Sequence, residues 1–98
     1  MVSCENMRTL TEPQITAMMK KVRGWTRTED AIERTWKFRT FMEAVAFMNR
    51  VFALAEEANH HPNLANVWAT VTIGFTTHDP GGLTKKDFDL AAKINKIA

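Results

Sequence analysis

Residues 67–76 read V-W-A-T-V-T-I-G-F-T, with Val67, Ala69, Val71, Ile73 and Phe75 alternating with Trp68, Thr70, Thr72, Gly74 and Thr76. Successive side chains of an extended chain point to opposite faces, so this segment has one wholly apolar face and one that is rich in threonine. That pattern predicts a β-strand covered on one side only. Trp68 interrupts the threonine face, where it is a surface residue or a subunit contact.

The segments on either side supply the cover. Upstream, Thr40 and Glu43 form a capping-box pair ahead of Phe41, Ala44, Val45, Met48, Phe52 and Ala55. Their spacing of three or four residues predicts a helix running to about Ala58, and its Met and Phe stripe reads as core. Downstream, Thr84 and Asp87 cap a last helix whose Leu90, Ala91, Ile94 and Ile97 can face the sheet, while Lys93 and Lys96 complement its C-terminal dipole. Nearer the N-terminus, Ile32, Trp36 and Phe38 fall on one side of an alternating pattern and Ala31, Glu33, Thr35 and Lys37 on the other, predicting two strands joined near Thr28-Glu29-Asp30. Before them, Thr11 and Gln14 open a helix carrying Ile15, Met18, Met19 and Val22 on one face, stopped by Gly24. The order is α-β-β-α-β-α, an α+β arrangement of an antiparallel sheet with three helices packed on one face.

Composition sets the outer bounds. The 98 residues are expected to form a single domain, residues 1–98, without repeats or linkers. Hydrophobic residues make up 45% and charged residues 24%, the balance of a folded soluble chain. Lys and Arg number 13 against 11 Asp and Glu and are scattered, so direct nucleic-acid binding is not expected. Apolar runs stop at about five residues, far from the roughly 20 that a membrane helix needs, and residues 1–10 contain no signal-peptide core. The lone Cys4 fits a reducing compartment. The expected location is the cytoplasm, with the nucleus as a second.

All three histidines stand beside turn residues: His60 and His61 in N-H-H-P, and His78 in T-T-H-D-P-G-G. Pro62 turns the chain away from helical geometry after His61. If the apolar strand runs under the long helix, the two loops converge on one sheet edge. Three readings of the histidines stand side by side. They are ordinary polar loop residues; or they are zinc ligands with an open fourth position, although the spacing matches no metal motif; or they are acids and bases, since imidazole titrates near working pH. Glu56 and Glu57 lie one turn before the histidine pair. Asp87 either caps the last helix or orients His78 across the loop.

The joint occurrence, in order, of H-H-P, N-V-W-A-T-V-T-I-G-F-T-T-H-D and G-G-L-T-K-K-D-F-D-L-A resembles the pterin-4a-carbinolamine dehydratases. The preceding G-W, A-I-E-R-T-W-K-F and F-M-E-A-V-A-F-M-N-R-V-F-A-L-A-E-E extend the similarity over residues 24–97. The resemblance implies helices on one side of a four-stranded antiparallel sheet, raising the strand count from three to four, and assembly into homodimers or homotetramers. It implies a hydro-lyase that removes water from 4a-hydroxytetrahydropterin to give quinonoid dihydropterin, in tetrahydrobiopterin recycling, with no metal and no organic cofactor. By position, His60, His61 and His78 are the pocket histidines; Asn59, Thr76, Thr77 and Asp79 border the pterin, and Glu56 and Asp87 are supporting acids. His60 and His78 are expected to be the acid and base pair, with His61 a substrate anchor. The chain departs from the family pattern at Leu64, where many relatives carry an aromatic residue, and at Asn59, where many carry Asp. Because some animal members also act as coactivators through helical surface, a non-catalytic module binding a helical partner is the alternative.

Overall fold

The computed structural model describes residues 9–77 and 81–98; Cys4, His78 and Asp79 lie outside the described residues. Helix α1 spans Glu12–Met19, strand β1 Thr26–Thr28, β2 Ala31–Lys37, helix α2 Phe41–Ala58, strands β3 Asn63–Val67 and β4 Thr70–Phe75, and helix α3 Lys85–Ile97. The four strands form one sheet in the order β1-β2-β4-β3, with every neighbouring pair antiparallel.

The 67–76 segment is not one strand. β3 ends at Val67, β4 begins at Thr70, and Trp68-Ala69 links them, so the order is α-β-β-α-β-β-α. Trp68 takes φ 51, a left-handed conformation that a bulky side chain rarely adopts. The side chain of Asn66 fastens this link, its Nδ2 donating to the carbonyls of Trp68 at 2.9 Å and Thr70 at 3.0 Å. Trp68 is 69% exposed, at the hairpin tip.

Period two decides which strand faces are covered. The register places Ile32 opposite Phe75, Arg34 opposite Ile73 and Trp36 opposite Val71, so one face carries the apolar set. Ile32, Val71 and Ile73 are wholly inaccessible. On the other face Thr35 and Thr72 are partners, and their hydroxyls lie 2.9 Å apart. Ala44, Phe47, Met48 and Val51 of α2, with Phe88, Leu90, Ala91 and Ile94 of α3, close over the apolar face, and Ile15 and Val22 complete the core from the N-terminal side. Each fully buried aliphatic or aromatic side chain contributes about 1.5–3 kcal/mol. Together they outweigh any single polar contact. An aromatic series runs through the core, with Trp25 edge-on to Trp36 at 5.6 Å and tilted against Phe75 at 5.9 Å.

The helix starts follow the caps. Thr11 and Gln14 make both bonds of the capping box on α1. On α2 the Thr40 hydroxyl accepts from the Glu43 N–H at 3.1 Å, but the Glu43 carboxylate reaches one residue further back, to the Arg39 N–H at 3.0 Å. No helix among the described residues is long and apolar enough to cross a membrane.

Candidate active site

Helix α2 ends because Asn59 adopts φ 52, the left-handed position that asparagine tolerates better than most residues, and its N–H bonds back to the Glu56 carbonyl at 3.1 Å. The His60 N–H then donates to the Ala55 carbonyl at 3.1 Å, so the chain folds back on the last turn and carries the His60 ring inward. His60 is buried at 8% exposure and stacks on Phe75 of β4, with centroids 5.8 Å apart and planes 16° from parallel. Its Nε2 lies 2.5 Å from Oδ1 of Asp87.

Asp87 is completely buried, at the third position of α3. Its Oδ2 accepts the Thr84 N–H at 2.9 Å, as a capping carboxylate does, and also the Thr77 hydroxyl at 3.1 Å. The Thr77 and Thr84 hydroxyls are 2.9 Å apart. The ends of three elements therefore meet on one carboxylate: the turn after α2, the segment after β4 and the start of α3. A buried carboxylate left without partners would cost several kcal/mol, and here hydrogen bonds meet that charge.

His61 goes the other way. Its side chain is 58% exposed, and its Nε2 lies 3.0 Å from Oε1 of Glu56, one turn back on α2. The two adjacent imidazoles thus meet two different carboxylates, one inside and one at the surface. The expected supporting acids, Glu56 and Asp87, are both found beside a histidine, but Asp87 binds His60. The Thr76 hydroxyl donates to the Asp30 carbonyl at 2.5 Å. All polar groups of Thr77 are engaged within the protein: its hydroxyl as described, its N–H with the Gly82 carbonyl at 3.0 Å, and its carbonyl with the Gly82 N–H at 2.9 Å. Asn59 is exposed at the end of α2. The segment preceding residue 78 therefore comes to the carboxylate that holds His60.

Sequence reasoning did not anticipate Thr84 and Phe75 as parts of this site. Thr84 was legible as a helix cap and Phe75 as core, and nothing in their spacing marks a link to His60.

The sequence and the fold match a known family. The family model described as Pterin 4 alpha carbinolamine dehydratase matches residues 8–97. A protein of Prochlorococcus marinus (strain MIT 9313), named for that activity, is 50% identical over 88 residues, which cover 90% of this chain and 92% of the relative. A crystal structure titled transcriptional coactivator/pterin dehydratase, from Brucella melitensis, is 33% identical and superposes with a TM-score of 0.89 over 93% of this chain and 99% of that one. A pterin dehydratase-like protein described as a RuBisCO assembly factor in the alpha-carboxysome shares the fold alone, at 21% identity and a TM-score of 0.62 over 76% of this chain and 86% of that one. The chain belongs to the pterin-4a-carbinolamine dehydratase family.

Proposed function

We propose that this protein dehydrates 4a-hydroxytetrahydropterin to quinonoid dihydropterin by histidine acid–base chemistry, without a metal or organic cofactor. The observation that carries the reading is the buried pairing of His60 with Asp87 in a chain of this family. Loss of water from the 4a carbon breaks a C–O bond. A proton must reach the departing hydroxyl, and another must leave a ring nitrogen as the C=N bond forms. Two imidazoles in opposite protonation states serve both needs: the acid, left neutral, is reset by taking up a proton from water, and the base, left protonated, by giving one up.

His60 and His78 are the acid and base pair in this reading. His61, exposed and turned by Glu56, anchors the pterin from the rim. Asn59, Thr76 and Asp79 border the substrate, whereas the fully engaged polar groups of Thr77 suit a supporting role. A homodimer or homotetramer is the expected assembly. Stopped-flow decay of 4a-hydroxytetrahydropterin, with and without the protein and in the presence of a chelator, tests the reading. Acceleration that survives the chelator supports it, and decay at the uncatalysed rate defeats it.

A second reading has one observation in its favour. Helix α2 leaves Phe41 at 43% and Phe52 at 49% exposure, apolar surface that suits another protein or a second copy of the chain. A binding module built on this face would hold a helical segment and leave the pterin unchanged.

A further inference from the structure

We infer that the hydroxyls of Thr84 and Thr77 and the carboxylate of Asp87 form a one-way hydrogen-bond relay that fixes His60 as its Nε2–H tautomer, making Nδ1 the nitrogen through which the ring exchanges protons. The inference deepens the dehydratase reading, and only its kinetic arm rests on that reading.

The direction follows from counting hydrogens. Thr77 has one hydroxyl hydrogen, and it is spent on Oδ2 of Asp87 at 3.1 Å. The 2.9 Å contact between the two threonine hydroxyls therefore has Thr84 as donor and Thr77 as acceptor. Oδ2 also takes the Thr84 N–H at 2.9 Å, so two donors converge on it and Asp87 acts as an acceptor throughout. At Oδ1 the partner is His60 Nε2, 2.5 Å away, and a group that only accepts requires that nitrogen to carry the hydrogen. Each hydroxyl that accepts a hydrogen bond becomes a better donor, so the relay strengthens along its length in this water-poor interior.

Burial makes the arrangement hard to reverse. Exposure is 0% at Asp87 and Thr84 and 3% at Thr77. A flipped imidazole or a rotated hydroxyl would leave a buried polar atom without a partner, costing about 1–3 kcal/mol. Phe75 stacked on the ring fixes its plane. Among the described residues the His60 ring is bonded through Nε2 alone, so Nδ1 is the nitrogen left to meet substrate. If it accepts a proton, the resulting imidazolium lies against an anion already in place. If it begins protonated, the same anion holds the acid ready. Asp87, Thr77 and Thr84 are then positioning residues, the first acting on His60 directly and the threonines through it.

The test starts from the unaltered full chain, uniformly labelled with nitrogen-15, observed by long-range proton–nitrogen correlation at a pH where His60 is neutral. The expected spectrum shows a protonated Nε2 and a bare Nδ1 at His60. A bare Nε2 overturns the inference, whether or not the protein turns over pterin. If the tautomer is as expected but no dehydration occurs, the functional reading fails and this one stands. Thr84→Val removes the donor at nearly constant shape. It should mix the His60 tautomers and lower kcat on the order of tenfold, with KM little changed, and Thr84→Ser should restore both signals. A Thr84→Val protein that melts earlier but keeps a pure Nε2–H tautomer and full kcat would show a merely structural threonine and overturn the relay. Asp87→Asn offers an amide N–H to Nε2 and should drive His60 to the Nδ1–H form, with a loss of roughly 10³–10⁴ in kcat, as expected for a histidine held in the wrong tautomer.

Discussion

His60 and Asp87 are 27 residues apart in sequence and 2.5 Å apart at their nearest side-chain atoms, both buried, with the carboxylate also capping the helix on which it sits. One side chain thus serves two elements. The carboxylate that starts α3 also sets the ring after α2, and this link ties folding of the last helix to assembly of the site.

His61 and His60 should separate kinetically. His61→Ala removes an exposed ring whose contact with Glu56 lies at the surface. The expected outcome is a KM raised several-fold with kcat reduced by less than about tenfold, the signature of lost binding rather than lost proton transfer. Steady-state kinetics on a pterin carbinolamine series checks this. A fall in kcat with KM unchanged would give His61 a direct chemical role.

Thr40→Ala removes the hydroxyl that accepts the Glu43 N–H at 3.1 Å. Loss of such a cap costs about 0.5–2 kcal/mol. Urea denaturation should show the midpoint falling with the slope unchanged. A midpoint equal to wild type would mean that Glu43, through Arg39, starts the helix unaided.

Gly24→Ala is predicted to destabilise for two reasons. Gly24 has φ 83, and a Cβ there would come within 2.6 Å of the Arg34 guanidinium. That guanidinium lies over the Trp36 ring, 4.9 Å from its centroid, and donates to the Arg23 carbonyl and Asn95 Oδ1, each at 2.8 Å, so it has little freedom to retreat. A loss on the order of 1–3 kcal/mol is expected in thermal or chemical denaturation. Gly24 contributes no hydrogen-bonding group to the His60–Asp87 cluster, so turnover per folded molecule should be largely retained.

The acid side of the stability curve should carry a contribution from Glu43. Hydrogen bonds from the Arg39 backbone N–H, and then from its guanidinium, hold the Glu43 carboxyl below the usual carboxylate range. A depressed value in the folded state means stability that is present above the unfolded-state value and lost as pH falls from the ordinary carboxylate range through the lower folded-state value. Glu43→Gln should therefore be less stable than wild type at neutral pH, and the two should converge under acid. Added salt should narrow the neutral-pH gap, because the pair is exposed. A gap constant across this range would exclude the titration of Glu43 as its source.

Much of the fold was legible because period and caps agree locally. The starts of α1, α2 and α3 were announced by Thr11, Thr40 and Thr84, and the covered sheet face by Ile32, Trp36, Val71, Ile73 and Phe75. The break at Trp68 was not legible from residues. No Asn-Gly or Asp-Gly marks the link, and Val67 and Ala69 keep the parity of the strand that follows, so the alternation runs unbroken across a turn. β3 itself carries Asn63, Ala65 and Asn66, weak strand formers, with only Leu64 packed on the core. At the site, the residue types were legible and their pairing was not. The sequence marks Asp87 as a cap, which it is, and offers it to His78, which lies outside the described residues; its contact with His60, brought about by the turn at Asn59, has no mark in the sequence. That outcome depends on how α2 and α3 pack, which no local pattern encodes.

The most direct test of the account compares single-turnover dehydration of 4a-hydroxytetrahydropterin by the wild-type protein and by His60→Ala under saturating enzyme. The chemical step of His60→Ala should be slower by on the order of 10²–10⁴, with pterin affinity kept within a few-fold. A His60→Ala protein that dehydrates the carbinolamine at the wild-type rate would contradict it.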